Sequence, residues 1–395
     1  MSLFEDIKLQ PPDPIFGLIK RFESDPNPNK INLVPGVYYD ETLKQRKMRA
    51  IYEAEKRLLT VEKNKNYLPI LGSSSFLKNI EELIFGNIKS EHVLNIYGAQ
   101  TLGGTGALSI GGHFAFQTFS KTAYISSPTW ANHIKIFKEC GMEVFSYPYY
   151  CAKTHQLDFE GMIHSFKKAP KNSLIILQPC GHNPTGCDLS RNQWKEISSL
   201  FLDRKLVAFF DLAYMGLAVG IEEDVWPLNY FASKGHEFLA AVSCSKSFGL
   251  YGERTGALFI TSKKRTKGVS SLLQTLIRST YSNPSRHGAK LIALVLEDPN
   301  LKQEWKRELS HMQKRIQMMR ENLLKALKAS MGKNTFDFLK NRSGMFSFLD
   351  LSKHHVEELI DRFGIYLTED GRINLAALND INLKTLAIAI TKTVQ

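Results

Sequence analysis

The chain has 395 residues, 43% of them hydrophobic, which is enough apolar material for two domains of ordinary size and too much for a disordered polymer. Its formal charge of +12 is carried by dispersed lysines and arginines, with clusters no longer than Lys263-Lys264-Arg265; this argues against a nucleic-acid tract and suits an enzyme of anionic metabolites. Five cysteines, few and odd in number, exclude an oxidised framework, and no run of about 18 apolar residues offers a membrane span, so a soluble cytoplasmic protein is expected.

At the N-terminus, Glu5 and Asp6 stand where a secretory leader would be basic and then apolar. The proline-rich runs Gln10-Pro11-Pro12-Asp13-Pro14 and Asp25-Pro26-Asn27-Pro28 predict that the first 35 residues form an extended arm rather than a core element. From about residue 95 to 300, short apolar runs alternate with segments of helical periodicity, the pattern of a parallel α/β fold. Strands are predicted at Thr122-Ser126, Glu143-Tyr147, Leu174-Gln178, Leu206-Asp211, Leu239-Ser243 and Ala257-Thr261. Ligands bind at the carboxyl edge of such a sheet, so Asn183, Asp211 and Lys246 are expected to share one crevice. Beyond it, Leu301 to about Ala329 reads as a long exposed helix leading into a second domain.

Three segments carry chemistry. Gly103-Gly104-Thr105-Gly106-Ala107 opens a helical run, and a glycine turn there leaves backbone N–H groups and the positive helix end free for a phosphate. No Gly-Lys-Ser/Thr follows, so it is not a nucleotide-triphosphate loop. In Ser243-Cys244-Ser245-Lys246-Ser247-Phe248-Gly249, a lysine follows a buried strand; desolvation would lower its pKa and prepare it for imine formation with an aldehyde. Ser245 and Arg254 would complete the phosphate cradle begun at Thr105. Asp211 ends an apolar run, and a buried carboxylate there calls for a cation such as a protonated pyridine nitrogen. Asn183 and Tyr214 could hydrogen-bond a phenolic oxygen, although Asn183-Pro184-Thr185-Gly186 taken alone reads as an ordinary turn. A metal at Cys180, His182 and Cys187 is disfavoured, because Cys-x-His-x4-Cys matches no common zinc spacing and Pro184 with Gly186 explains the segment as a turn; no metal is expected.

Taken in order, these motifs resemble the fold-type I, class I aspartate and aromatic amino-acid aminotransferases. The resemblance runs from Asp13-Pro14-Ile15 to Gly371-Arg372-Ile373-Asn374, through Asn32-Leu33-x-x-Gly36-Val37-Tyr38, Lys65-Asn66-Tyr67-Leu68, Pro128-Thr129-Trp130-x-x-His133, His182-Asn183-Pro184-Thr185-Gly186, Tyr281-Ser282-Asn283-Pro284 and Gly344-Met345-Phe346-Ser347-Phe348. It implies a mostly parallel central sheet flanked by helices plus a smaller α+β domain. The implied division is an arm at 1–11, a small domain at 12–37 with 312–395, and a large cofactor domain at 38–311.

The same resemblance implies pyridoxal 5′-phosphate as cofactor, with Lys246 as its Schiff-base lysine and proton shuttle, Asp211 on the ring nitrogen, and Asn183 and Tyr214 on the phenolic oxygen. Trp130 would stack on the ring. Gly104, Thr105, Ser243, Ser245 and Arg254 would hold the phosphate, joined by Tyr67 across a homodimer. Gly36, Trp130, Asn183 and Arg372 would bind substrate, Arg372 taking the α-carboxylate, and Arg278 would reach across the dimer to a distal carboxylate. The implied reaction converts L-aspartate and 2-oxoglutarate to oxaloacetate and L-glutamate by a ping-pong mechanism; the alternative is an aromatic or broad-specificity aminotransferase. No nucleic-acid or membrane partner is implied. Gln178 departs from a histidine common behind the cofactor, and Cys244 from a common tyrosine. The stretch Tyr39-Asp40-Glu41-Thr42-Leu43-Lys44-Gln45-Arg46 at the substrate mouth also differs in part.

Overall fold

In the computed structural model, which describes residues 3–9, 14–86, 94–332 and 334–394, the apolar runs assemble into one seven-stranded sheet. In spatial order its strands are Asn95–Leu102, Thr255–Ser262, Leu239–Ser243, Val207–Leu212, Leu174–Leu177, Thr122–Ser127 and Glu143–Pro148. The last five are parallel, and Thr255–Ser262 is antiparallel to both its neighbours. The Asn95 strand therefore points the same way as the five, and six strands bring their carboxyl ends to one edge.

The central strands are buried on both faces, as their unbroken apolar sequences require. Side chains alternate between two cores. Phe209 joins Leu174, Ile176 and Ala241 beneath helices Gly103–Thr118, Asn132–Glu139 and Lys267–Thr280; its neighbour Phe210 joins Ile175, Leu177 and Val242 on the opposite face. Helix Gly103–Thr118 lies so close to the sheet that a Cβ on Gly111 would sit 2.4 Å from the Phe209 ring. The remaining pairings join distant parts of the chain. Ile31–Asn32 runs parallel to Ile365–Tyr366, Phe346–Phe348 pairs with Arg372–Asn374, and Asn374 Nδ2 donates to the carbonyls of Pro35 and Val37, each at 2.7 Å.

Three expectations are corrected. The first 35 residues are not simply extended: Pro14–Ser24 is a helix whose Ile15, Leu18, Ile19 and Phe22 recur at helical spacing and pack on the core. The flanking prolines masked that periodicity, and Gln10-Pro11-Pro12-Asp13 lies outside the described residues. Asn95–Leu102 is a strand that sequence reading omitted; Gly98 and the terminal asparagine dilute its β signal, and it lies at a sheet edge. The long helix runs Pro299–Met331, capped by Asp298 and closed by Gly332 at φ +66°. It is not an exposed rod, because a full stripe from Leu301 to Leu327 is buried. That stripe includes Arg315, whose guanidinium donates to the carbonyls of Tyr39, Asp40, Ala376 and Leu378. No helix among the described residues is long and apolar enough to cross a membrane.

Candidate active site

The carboxyl edge of the sheet holds a cavity of about 260 Å³. Strand direction explains its lining. Five of the six codirectional strands carry candidate residues at or just beyond their carboxyl ends: Gly104 and Thr105, Trp130, Asn183, Asp211 and Tyr214, and Ser243 to Lys246. The antiparallel strand begins at the same edge, where Thr255 pairs with Leu102 and Gly256 with Ser243, which places Arg254 beside the start of the Gly103 helix.

One end of the cavity is built for an anion. Gly103 has φ +69°, and a Cβ there would lie 2.6 Å from Arg254 Nη2. Only glycine admits both the left-handed backbone and the guanidinium. The first turn of the helix leaves its N–H groups unpaired, and the dipole adds positive potential. Arg254 Nη1 donates to Ser245 Oγ and to the Tyr251 carbonyl, neither of them charged, so the guanidinium charge remains uncompensated by these contacts.

Lys246 lies in the middle, its Nζ 5.0 Å from the centre of the Tyr214 ring. Burial pulls its pKa down to about 8; Asp211 opposes this, and Arg254 and Arg372 reinforce it. In the cofactor-free protein, acylation of Lys246 by an amine-selective reagent is therefore expected to rise with pH through about 8. Mass-spectrometric labelling with a midpoint near the usual 10.5 would contradict that desolvation. Asp211 is buried, and its Oδ2 pairs with His133 Nε2 at 2.9 Å, while His133 Nδ1 meets Thr129 Oγ at 2.7 Å. With the Thr129 hydroxyl donating to Nδ1, Nε2 carries the proton and donates to Asp211. The motif Pro128-Thr129-Trp130-x-x-His133 contained this histidine, but a buried imidazole leaves no mark on periodicity and its contact went unread.

The other end holds Arg372, which is 5% exposed. Its Nη2 donates to the Val34 carbonyl at 2.7 Å and its Nη1 to Asn183 Oδ1 at 3.3 Å, the Phe346 ring lies 4.4 Å away, and Nε is buried without a partner. Burial lowers its pKa, and it raises that of the Tyr214 phenol, to whose oxygen Asn183 Nδ2 donates at 3.3 Å. Gly36, Trp130, Ile15, Leu108 and Phe346 form walls; of these, Ile15, Leu108 and Phe346 had been given no role. Ile15 comes from the helix that the prolines concealed.

Two candidates lie elsewhere. Tyr67 is 91% exposed, and Arg278 is an exposed residue of helix Lys267–Thr280 that donates to Ser282 Oγ; neither lines this cavity. Cys244 is buried behind it. In the rejected metal set, His182 spends both ring nitrogens on Ser126 and Thr185, and burial pushes the Cys180 and Cys187 thiols up, away from the thiolate form a metal needs. A larger hollow, about 800 Å³, lies near Tyr38, Glu55 and His311. Two of its charge pairs are closed, Arg46 with Asp40 and Lys47 with Glu55, and Glu308 accepts from the N–H groups of Arg49 and Ala50.

The small cavity, by contrast, keeps unmatched groups, and their order fits a phosphorylated pyridine aldehyde with a carboxylate substrate beside it. An anion-binding helix end comes first, then an amine, a carboxylate backed by histidine, and a guanidinium with an orphaned Nε. The family model described as aminotransferase class I and II matches residues 28–390. The aspartate aminotransferase of Haemophilus influenzae is 41% identical over 396 residues, covering 99% of this chain and 100% of that protein. The aromatic-amino-acid aminotransferase of Escherichia coli is 38% identical, with 98% and 99% covered. Among solved structures, the aromatic-amino-acid aminotransferase of Burkholderia pseudomallei, covalently bound to pyridoxal phosphate, matches all of both chains with a TM-score of 0.95 and 40% identity. The chain belongs to the class I and II aminotransferase family. Within that family it is similar to aspartate and to aromatic enzymes at nearly equal identity.

Proposed function

We propose that the protein transfers the amino group of L-aspartate to 2-oxoglutarate, giving oxaloacetate and L-glutamate by a ping-pong mechanism. Its cofactor is pyridoxal 5′-phosphate, which when bound supplies an electron sink for the pair left behind as the Cα–H bond breaks. Gly104, Thr105, Ser243, Ser245 and Arg254 hold the phosphate, with Tyr67 of the partner subunit. Asp211, steadied by His133, holds a proton on the ring nitrogen. Asn183 and Tyr214 hydrogen-bond the phenolic oxygen, and Trp130 covers the ring face. Lys246 Nζ takes the proton from the substrate Cα and later returns one. Arg372 grips the α-carboxylate in the fork geometry that a guanidinium provides, beside Gly36. Arg278 of the partner subunit takes the distal carboxylate.

The observation that carries this reading is Arg372, a buried guanidinium whose partners are neutral oxygens and whose Nε has none, facing the cavity that holds Lys246. A buried cation so placed calls for an anionic ligand. The test is the absorption spectrum of the holoenzyme before and after L-aspartate, with no keto acid present. Conversion of the long-wavelength band to the amine form is expected, and an unchanged band with every amino acid would sink the aminotransferase reading. A second reading, an aromatic or broad-specificity donor, is favoured by the apolar walls Ile15, Leu108, Trp130 and Phe346. It requires phenylalanine or tyrosine to convert the band as fast as aspartate.

We further infer a cytoplasmic homodimer. The exposed side chains of Leu59, Val61 and Tyr67, and of Leu3, Phe4, Ile7 and Leu9 in the arm, support a face and an arm that lie on a second copy, and five free cysteines suit a reducing compartment. A small domain of 12–37 with 312–395 beside a large one of 38–311 is supported by the Ile31–Ile365 pairing and by the grip of Asn374 on Pro35 and Val37.

A further inference from the structure

Gln178 follows the Leu174–Leu177 strand and is 7% exposed. Its carboxamide carries an acceptor and a donor side by side, and both are spent on one residue. Oε1 accepts from the Asn183 N–H at 2.9 Å, and Nε2 donates to the Asn183 carbonyl at 3.1 Å. The pairing satisfies the whole main-chain polarity of Asn183, itself 5% exposed. The side chain of Asn183 is thereby left to its own two partners: Nδ2 donates to Tyr214 Oη, and Oδ1 accepts from Arg372 Nη1, each at 3.3 Å. One amide thus stands behind the residue that links the phenol to the guanidinium.

We propose that Gln178 is a positioning residue that grips the main chain of Asn183 and thereby sets, together, the carboxylate affinity of Arg372 and the protonation of the phenolic oxygen. The proposal rests on the aminotransferase reading for its two ligands, but its geometry belongs to this chain. Histidine, common at this position in the resembled enzymes, carries its donor and acceptor on separate ring nitrogens that point apart, so it meets the Asn183 N–H or the carbonyl but not both. Glutamate keeps the acceptor and sets a second oxygen against the carbonyl. Leucine matches the size and leaves two buried main-chain groups unpaired.

The test uses the holoenzyme with maleate as a dicarboxylate probe and reads the pH midpoint of the cofactor absorption band. Gln178→Leu is expected to weaken maleate binding about tenfold. It is also expected to raise the pH midpoint, because a misplaced Asn183 no longer donates to the phenolic oxygen. In an Asn183→Ala background the same substitution is expected to change neither quantity further, since Gln178 would act only through Asn183. A merely structural role predicts additive losses and a lowered melting temperature without a moved midpoint; that result, or a folded Gln178→Leu protein with both quantities unchanged, overturns the proposal. Should the leucine variant fail to fold, Gln178→Glu carries the same test, with smaller shifts in the same directions expected and unchanged values decisive against it. A wild-type protein that shows no cofactor band sinks the aminotransferase reading and this proposal together, whereas an intact wild-type band with indifferent variants sinks only the role of Gln178.

Discussion

Lys246→Ala is expected to lower the rate of aspartate transamination by at least about 10⁴-fold while leaving a folded protein. The upper range of general-base catalysis alone accounts for about 10⁴, and the same side chain is the proposed covalent anchor of the cofactor. Among the described residues that line the cavity, Lys246 carries the only amine, so no neighbour replaces it. The variant should also separate catalysis from stability. The folded pKa of about 8 lies below the usual 10.5, so the unfolded chain binds more protons between those values and stability rises with pH across that window. Below about pH 8 the folded state bears the cost of a desolvated ammonium, a cost gone above 10.5. Removing the amine is thus expected to stabilise the cofactor-free protein at pH 7, by up to about 3 kcal/mol before the lost packing of the aliphatic stem is subtracted. Denaturation of the two apoproteins at pH 7 and at pH 10.5 measures this directly. An alanine variant with activity within a hundredfold of wild type would remove Lys246 from the centre of the chemistry.

Asp211→Ala is expected to reduce kcat by about 10²- to 10³-fold, the cost of breaking one buried ion pair. The carboxylate is buried, held by a histidine that is itself wholly enclosed, and aimed into the cavity beside Lys246. An alanine there leaves His133 Nε2 without its acceptor and, on the proposed assignment, would leave the ring nitrogen without an anion to hold its proton. His133→Gln should cost less, because it acts through Asp211 and the amide still donates. Single-turnover rates with aspartate for the two variants give the comparison, and equal losses, or an Asp211→Ala enzyme within tenfold of wild type, would contradict the assignment.

The parts of this molecule that were legible in the sequence are those governed by local pattern. Val207–Leu212 and Leu239–Ser243 are apolar because both faces are covered, and the polar residues that end or follow them fall at the edge where ligands bind. The order of motifs carried the cavity from Gly104 to Arg372. What escaped was decided by tertiary contact. Arg315 is one of many charged residues in its helix, yet four carbonyls from two remote segments enclose it. Gln178 reads as a departure, and only the fold shows it facing Asn183. His133 lies 78 positions from its carboxylate, a separation that no periodicity reports.

The hydrogen bond from Arg372 to the Val34 carbonyl spans 338 positions, and the one from Arg372 to Asn183 spans 189. A pocket stitched from segments so far apart has very high contact order, and the loop entropy is spent before the pocket exists. No single stretch of the chain owns both the Lys246 end and the Arg372 end of the cavity. A carboxylate ligand that engages Arg372 is therefore expected to bind only the finished tertiary structure and to draw the folding equilibrium toward it by mass action.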